Sequence, residues 1–265
     1  MIPRAYITEW TQFAPWKSNE QIEQDLVICR ALVEIFSDEF LSNELAFRGG
    51  TALHKLFLQP QPRYSEDIDL VQVNEGAIGP VLDRIRKLLD PWFESKAKYK
   101  KTLISNKLTY KFQSEFPPFQ NMKLKIEINC REHFTALGFI KVPFGVNSTW
   151  YKGSCEINTY QLEELMGTKL RALYQRRKGR DLFDQFIALT KVADMDINKV
   201  IHCYYSYMKH TDGELPTREQ YIKNIEDKMS DPEFIGDTVA LIRPEEKWNA
   251  DEAYQLIKNK ILIKL

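Results

Sequence analysis

Two aspartates, Asp67 and Asp69, carry the clearest chemical signal in the sequence. They occupy positions i and i+2 of a segment that reads as a strand, and alternation along a strand turns both carboxylates to one face. Carboxylate oxygens bind hard divalent cations, which often contact substrate phosphates as well. The pair Gly49-Gly50 lies a short loop upstream, and glycine lets the backbone approach a phosphate closely. Together the two features predict a metal and nucleotide site.

A third carboxylate is expected at Glu127. Apolar and polar side chains alternate through residues 122–129, which predicts a strand with one buried face. Glu127 lies on the polar face, and two-metal phosphoryl-transfer sites need several oxygen ligands. We therefore predict that Asp67, Asp69 and Glu127 bind the metal. The alternative is that Glu127 is a solvated residue of an edge strand.

A lysine within an apolar helical stripe is the second unusual feature. Residues 162–174 have helical periodicity, and Lys169 lies in the middle of the stripe. Burying an ammonium is costly unless it is paired, so Lys169 must either extend to solvent or meet an anion, for which a triphosphate is suitable. A basic run at 176–180 follows, which is either a solvated turn or a contact to phosphate or RNA. Asp181 is expected to pair with Arg180 or Lys169, or to act as an acid or base.

The elements that must position these residues change in character along the chain. Strand-like and helical segments are mixed at first, and only helical patterns remain after about residue 160. We predict a hairpin that turns at Ser105-Asn106 and a turn between two helices at Gly179. The predicted fold class is α+β, with a mixed sheet packed against helices in residues 1–158 and a helical domain in residues 159–265.

Composition limits the class of protein. Of 265 residues, 37 are basic and 37 are acidic, so any polyanion site must be a local patch. Four scattered cysteines and four histidines show no zinc-ligand spacing. We find neither a membrane-length apolar stretch nor, in residues 1–16, a signal-peptide pattern. These features favour a soluble protein of the cytoplasm with no membrane partner.

Four segments, taken in order, resemble the AbiEii-type nucleotidyltransferases. These proteins are toxins of abortive-infection (type IV) toxin–antitoxin pairs and belong to the DNA polymerase beta-like nucleotidyltransferase superfamily. The matching segments are residues 48–53, 63–70, 123–129, and 169–173 followed by 180–184. The resemblance implies a nucleotidyltransferase-type mixed sheet, a helical domain that completes the nucleotide pocket, and a requirement for Mg²⁺ or Mn²⁺.

The resemblance also implies roles for individual residues. The catalytic set would be Asp67, Asp69, Glu127, Lys169 and Asp181, with the first three as metal ligands. Nucleotide binding would fall to Gly49, Gly50, Thr51, Arg63, Ser65, Lys169 and Arg180. Members of the family are associated with adding nucleotides to the tRNA acceptor end. The implied partners are therefore an NTP, a tRNA and a cognate antitoxin protein.

Three other functions stay open at this point. The same chemistry directed at a protein side chain would make the chain a nucleotidylating enzyme. NTP binding without pyrophosphate release would make it a regulator. Wide separation of Asp67, Asp69 and Glu127 would favour a helical interaction module attached to an inert α/β half.

Overall fold

The computed structural model describes three stretches of the chain, residues 2–93, 95–211 and 215–265. Secondary structure changes near Tyr160 from mixed strands and helices to helices alone, as the sequence predicts. The chain forms two units: one runs to Phe134 and resumes over Phe139–Tyr160, and the other combines Thr135–Gly138 with Gln161–Leu265. The predicted boundary at 158/159 lies close to the last of these crossings, whereas the excursion at Thr135–Gly138 has no signal in the sequence.

The first unit is built from one sheet and the helices that pack against it. Its helices are α1 (Arg4–Trp10), α2 (Asn19–Ser37), α3 (Glu39–Glu44), α4 (Gly49–Ala52) and α5 (Gly79–Leu89). A π-helical turn, Leu53–Phe57, continues α4, and a 3₁₀ turn, Asp90–Trp92, continues α5. Its strands are β1 (Leu45–Arg48), β2 (Asp67–Gln72), β3 (Lys98–Lys101), β4 (Ser105–Gln113), β5 (Asn121–Asn129), β6 (Phe139–Asn147) and β7 (Lys152–Tyr160).

The strands of the described residues form a seven-stranded mixed sheet in the order β3-β4-β5-β2-β1-β7-β6. Strand β2 is central: it pairs antiparallel with β1 and parallel with β5. The alternation that predicts β5 is present, because Leu124, Ile126 and Ile128 are fully buried while the side chains between them are not. Helix α2 begins with Ser18 accepting a hydrogen bond from the Gln21 N–H and packs against β5, β6 and β7.

Two local predictions were wrong and one hairpin was not predicted, each for a physical reason. The β3–β4 turn lies at residues 102–104, because Thr102 closes it by accepting the Ser105 N–H through its hydroxyl at 3.0 Å. The hairpin of β6 and β7 has no clear sequence pattern, since Pro143 and glycines interrupt its alternation. Gly179 opens a helix rather than forming a turn; a Cβ there would collide with the Phe234 carbonyl.

The regular elements of the second unit are helices, within the part of the chain that the structure describes. Its helices are α6 (Leu162–Gln175), α7 (Gly179–Lys191), α8 (Ile197–Thr211), α9 (Arg218–Met229), α10 (Pro232–Gly236) and α11 (Ala250–Lys260). Glu164, fully buried on α6, binds Thr135–Gly138 by accepting hydrogen bonds from the Thr135 hydroxyl and the Ala136 and Leu137 N–H groups at 2.7–3.0 Å. None of the helices in the described residues is long and apolar enough to cross a membrane.

Candidate active site

The three predicted metal ligands lie on one face of the sheet. Asp69 of β2 pairs with Arg48 of β1 on one side and with Glu127 of β5 on the other. Asp67, two residues earlier, pairs with Lys125 of β5. Directly opposed residues on neighbouring strands point to the same side of a sheet. The strand register therefore brings Asp67, Asp69 and Glu127 together on one face.

A glycine bend lies against this face. Gly49 follows β1 directly and has φ +80°, a left-handed conformation that favours glycine. A Cβ at Gly49 would collide with the Asp69 carboxylate, so the backbone can approach that carboxylate only without a side chain. Gly49 thus stands beside Asp69, at the end of the strand that pairs with β2, and Gly50 follows it in the chain.

Thr51 and Ser65 connect the bend to the strand that carries the aspartates. The Thr51 hydroxyl donates to the Asp67 carbonyl at 2.5 Å and lies 2.7 Å from the Ser65 hydroxyl. Because Thr51 has one hydroxyl proton, Ser65 must be the donor in the second contact. Thr51 and Arg63 are both buried, and Arg63 donates to the Tyr64 carbonyl at 2.9 Å. In the structure these predicted nucleotide-binding side chains hold the loop that leads into β2.

Lysines compensate the charge of two of the acids. Lys125 Nζ lies 3.2 Å from Asp67 Oδ1, and Lys107 Nζ lies 2.7 Å from one Glu127 oxygen. The other Glu127 oxygen accepts a hydrogen bond from the Ser105 hydroxyl at 2.6 Å. Partial burial acts to raise the pKa of Glu127, but the hydrogen bonds from Lys107 and Ser105 lower it overall. Glu127 is therefore an ionised carboxylate with both oxygens engaged.

The chemistry of the face suits a hard cation, most directly at Asp67 and Asp69. Although 39% of the Asp67 side chain is exposed, its Oδ1 is turned inward and accepts no hydrogen bond from the described residues. The contact with Lys125 is thus an ion pair without hydrogen-bond geometry. Within the same described residues, no three His, Cys, Asp or Glu side chains are grouped to hold an ion. Glu127 would first have to release Lys107.

The second unit contains a separate group of buried charges. Lys169 Nζ lies 2.6 Å from Asp184 and 3.3 Å from Asp181, and both aspartates have no exposed side-chain surface. Arg176 donates to both Asp181 oxygens at 2.6 and 2.8 Å. Burial acts to raise the pKa of Asp181, but Lys169 and Arg176 lower it overall. The anion that Lys169 meets here is thus a pair of protein carboxylates.

Two members of this buried group were not predicted as site residues. Arg176 belongs to the basic run, and its side chain is half exposed. Its guanidinium group donates two parallel hydrogen bonds to the Asp181 carboxylate. Asp184 follows Asp181 by one helical turn, and this i, i+3 spacing was the available signal. Arg180, the pairing alternative for Asp181, instead lies 3.6 Å from Asp237.

Two solved structures share the fold of this chain. MenT4, a nucleotidyltransferase toxin from Mycobacterium tuberculosis H37Rv, matches with a TM-score of 0.71 at 17% identity, over 100% of this chain and 91% of that one. JHP933 from Helicobacter pylori matches with a TM-score of 0.59 at 16% identity, over 92% and 90% of the two chains. No significant match occurs among curated proteins. The mixed sheet with its helices is therefore the fold of nucleotidyltransferase toxins.

The family follows from the sequence itself. The family model described as nucleotidyl transferase AbiEii toxin, type IV TA system, matches residues 30–256, and the chain belongs to this family. The resemblance seen in the sequence is thereby confirmed, and the protein is a nucleotidyltransferase. Membership implies an NTP as the nucleotide donor and an antitoxin as a protein partner.

Proposed function

We propose that the protein transfers a nucleotide from an NTP to a hydroxyl at the 3′ end of tRNA, in the cytoplasm, with Mg²⁺ or Mn²⁺ as the cofactor. The supporting observation is the register that sets Asp69 beside Glu127 and Asp67 on the face next to the Gly49 bend. The phosphates of an NTP are bound by backbone N–H groups and by a divalent cation. The glycine bend and the carboxylates of this face would supply these two kinds of contact.

The contacts support the following roles. Asp67 and Asp69 would hold the cation, with Glu127 as a third ligand; when bound, the cation would activate the acceptor hydroxyl and stabilise the leaving pyrophosphate. Gly49 lets the backbone after β1 come close to the Asp69 carboxylate, and Gly49 and Gly50 are assigned to the phosphates beside these acids. Thr51, Ser65 and Arg63 keep the loop before β2 in place. In the transfer, the acceptor oxygen bonds to the α-phosphorus and loses its proton, while the α–β phosphoanhydride bond breaks.

The residues of the second unit have a more indirect role in this proposal. Lys169 and Arg180 are assigned to the NTP phosphates, and Asp181 to orienting Lys169. Support comes from the family membership together with the 3.3 Å contact between Asp181 and Lys169. A lysine used in this way would have to exchange one carboxylate contact for a phosphate.

The test is transfer of labelled nucleotide to RNA. Purified protein is incubated with each α-labelled NTP, Mg²⁺ and total tRNA, and the label is followed into RNA and into protein. We expect Asp67→Asn to reduce transfer at least ~100-fold, because a lost metal ligand removes several kcal/mol of transition-state stabilisation. The fold should survive, since Thr51 bonds to the Asp67 backbone carbonyl and not to its side chain.

A matched control distinguishes the site from a general loss of charge. Asp194 is an exposed aspartate of the helical unit, and Asp194→Asn should leave transfer unchanged. Undiminished transfer by Asp67→Asn would refute the site. Label appearing in protein would identify the acceptor as a side chain, and NTP binding without pyrophosphate release would identify a regulator.

A further inference from the structure

The sheet face that carries the acids is otherwise rich in lysine. Strand register places Asp69, Glu127, Lys107 and Lys100 in one row across β2, β5, β4 and β3. The neighbouring row runs from Asp67 through Lys125 and Thr109 to Lys98, and the next pairs Lys123 with Lys111. We call the lysines of these rows the lysine face; its members are Lys98, Lys100, Lys107, Lys111, Lys123 and Lys125.

The lysine face is open and has unused charge at its outer part. Lys107 and Lys125, nearest to the acids, are half-buried and paired with Glu127 and Asp67. The other four, Lys98, Lys100, Lys111 and Lys123, are exposed and form no ion pair with a described residue. The opposite side of β4 and β5 is apolar and buried. Positive charge is therefore concentrated on the solvent side of a chain with 37 basic and 37 acidic residues.

The dimensions of the lysine face exceed those of a triphosphate. From Asp67 to Lys98 the row crosses three strand spacings, about 14 Å at roughly 4.8 Å each. Phosphates of a nucleic-acid strand follow one another every ~3.4 Å along the axis, so about four nucleotides would span this width. Lysine is a flexible point charge that suits phosphates without reading bases.

We propose that the lysine face binds the phosphate backbone of the acceptor RNA and directs its end toward Asp67 and Asp69. The inference rests on the proposed function, because it assigns the acceptor of the same site. Backbone contacts would position the RNA without selecting its sequence. Specificity for a particular end would then come from elsewhere in the protein.

The test removes only the outer lysines, Lys98, Lys100, Lys111 and Lys123, which form no ion pair with Asp67, Asp69 or Glu127. The variant K98Q/K100Q/K111Q/K123Q is compared with the wild type and with K199Q/K209Q/K223Q/K260Q, which loses the same charge from exposed positions of the second unit. Binding of fluorescently labelled tRNA to the full chain is measured by anisotropy from 50 to 300 mM salt. Binding of a non-hydrolysable NTP analogue and the thermal unfolding midpoint are measured in parallel.

We expect the first variant to bind tRNA at least ~10-fold more weakly and to lose about 3 from the slope of log K against log salt, since each lost phosphate contact removes ~0.7. Its binding of the NTP analogue and its thermal midpoint should match the wild type, and the control variant should bind tRNA like the wild type. Unchanged tRNA affinity and salt slope would overturn the proposal. So would a selective loss of NTP binding, which would assign the face to the triphosphate.

The outcome is separable from that of the transfer assay. Salt-dependent tRNA binding that the outer lysines control, without nucleotide transfer, would support the lysine face and reject the acceptor chemistry. Transfer to RNA with an unchanged KM for tRNA in the variant would support the acceptor chemistry and reject the lysine face.

Discussion

Asp67 of the sheet and the aspartates of helix α7 all have a lysine partner, and the two pairings differ in how firmly the lysine is held. On the sheet, Asp67 is 39% exposed, and its partner Lys125 lies 3.2 Å away and is 37% exposed. In the helical unit, Asp181 and Asp184 are fully buried and share Lys169. The guanidinium group of Arg176 also pairs with Asp181. The first arrangement can exchange its lysine for another cation at little cost, whereas the second is bound into the core.

This difference shows that acids and lysines at equally close spacing can be held with very different firmness, depending on how much water reaches them. Exposed ion pairs contribute little to stability because water screens them. A buried pair is costly to break, since the remaining charge has no solvent. The two groups should therefore respond differently when one partner is removed.

The largest effect is expected at Lys169. Lys169→Met leaves the buried Asp181 and Asp184 with less positive charge and should lower the free energy of unfolding by about 3–5 kcal/mol. Urea denaturation at pH 7 measures it, with the exposed Lys199→Met as the control, expected within ~0.5 kcal/mol. A variant as stable as the wild type would mean that this lysine is as exchangeable as Lys125.

An intermediate effect is expected at Glu23, a buried acid of α2 that has a hydrogen bond from the Glu115 N–H. Burial is the main reason that its pKa rises from 4.5 to about 7. The folded protein then binds this proton more tightly than the unfolded chain, so the free energy of unfolding falls as pH rises from 4.5 toward 7. Asp25, two residues further along the chain, behaves differently because Lys55 Nζ lies 2.8 Å from its Oδ2 atom. Burial acts to raise the pKa of Asp25, but Lys55 lowers it overall.

Glu23→Gln replaces the titrating carboxyl group with a neutral amide, so the fall in the free energy of unfolding with rising pH should disappear. Relative to the wild type, the variant should gain roughly 2 kcal/mol between pH 5 and pH 8, measured by urea denaturation at both values. If the free energies of unfolding of the two proteins changed equally between these pH values, Glu23 would have another positive charge near it that keeps its carboxylate ionised.

The smallest effect is expected at Lys125. Lys125→Gln breaks an ion pair whose two side chains are both more than a third exposed, so the free energy of unfolding should change by less than ~1 kcal/mol. The same denaturation experiment measures it beside Lys169→Met. A loss as large as that of Lys169→Met would remove the distinction between the two groups.

The sequence was informative where pattern and chemistry coincide. Alternation over residues 122–129 predicts both β5 and the side of the sheet on which Glu127 lies, because a strand has only two faces. The pairing of Asp69 with Glu127 was less accessible, since register depends on tertiary contacts. Family membership and fold are confirmed, while the roles of the individual site residues stay predictions.

Where sequence reasoning failed, distant atoms decided the outcome. Gly179 is explained by its closeness to Phe234, more than fifty residues away, and not by a turn. Two partners of buried charges, Asp184 for Lys169 and Arg176 for Asp181, became visible only with α6 and α7 in place. The lysines at 98, 100 and 111 became one surface with Lys123 only through strand pairing.

The excursion of the chain at Thr135–Gly138 limits how this protein can be divided or recombined. The helical part cannot be cut out as the stretch that follows β7, because it depends on four residues encoded before β6. Without them, the fully buried Glu164 carboxylate would lose its hydrogen bonds from Thr135, Ala136 and Leu137 and would keep the one from the Tyr207 hydroxyl, 2.8 Å away. A helical part expressed by itself would therefore need residues 135–138 joined to it.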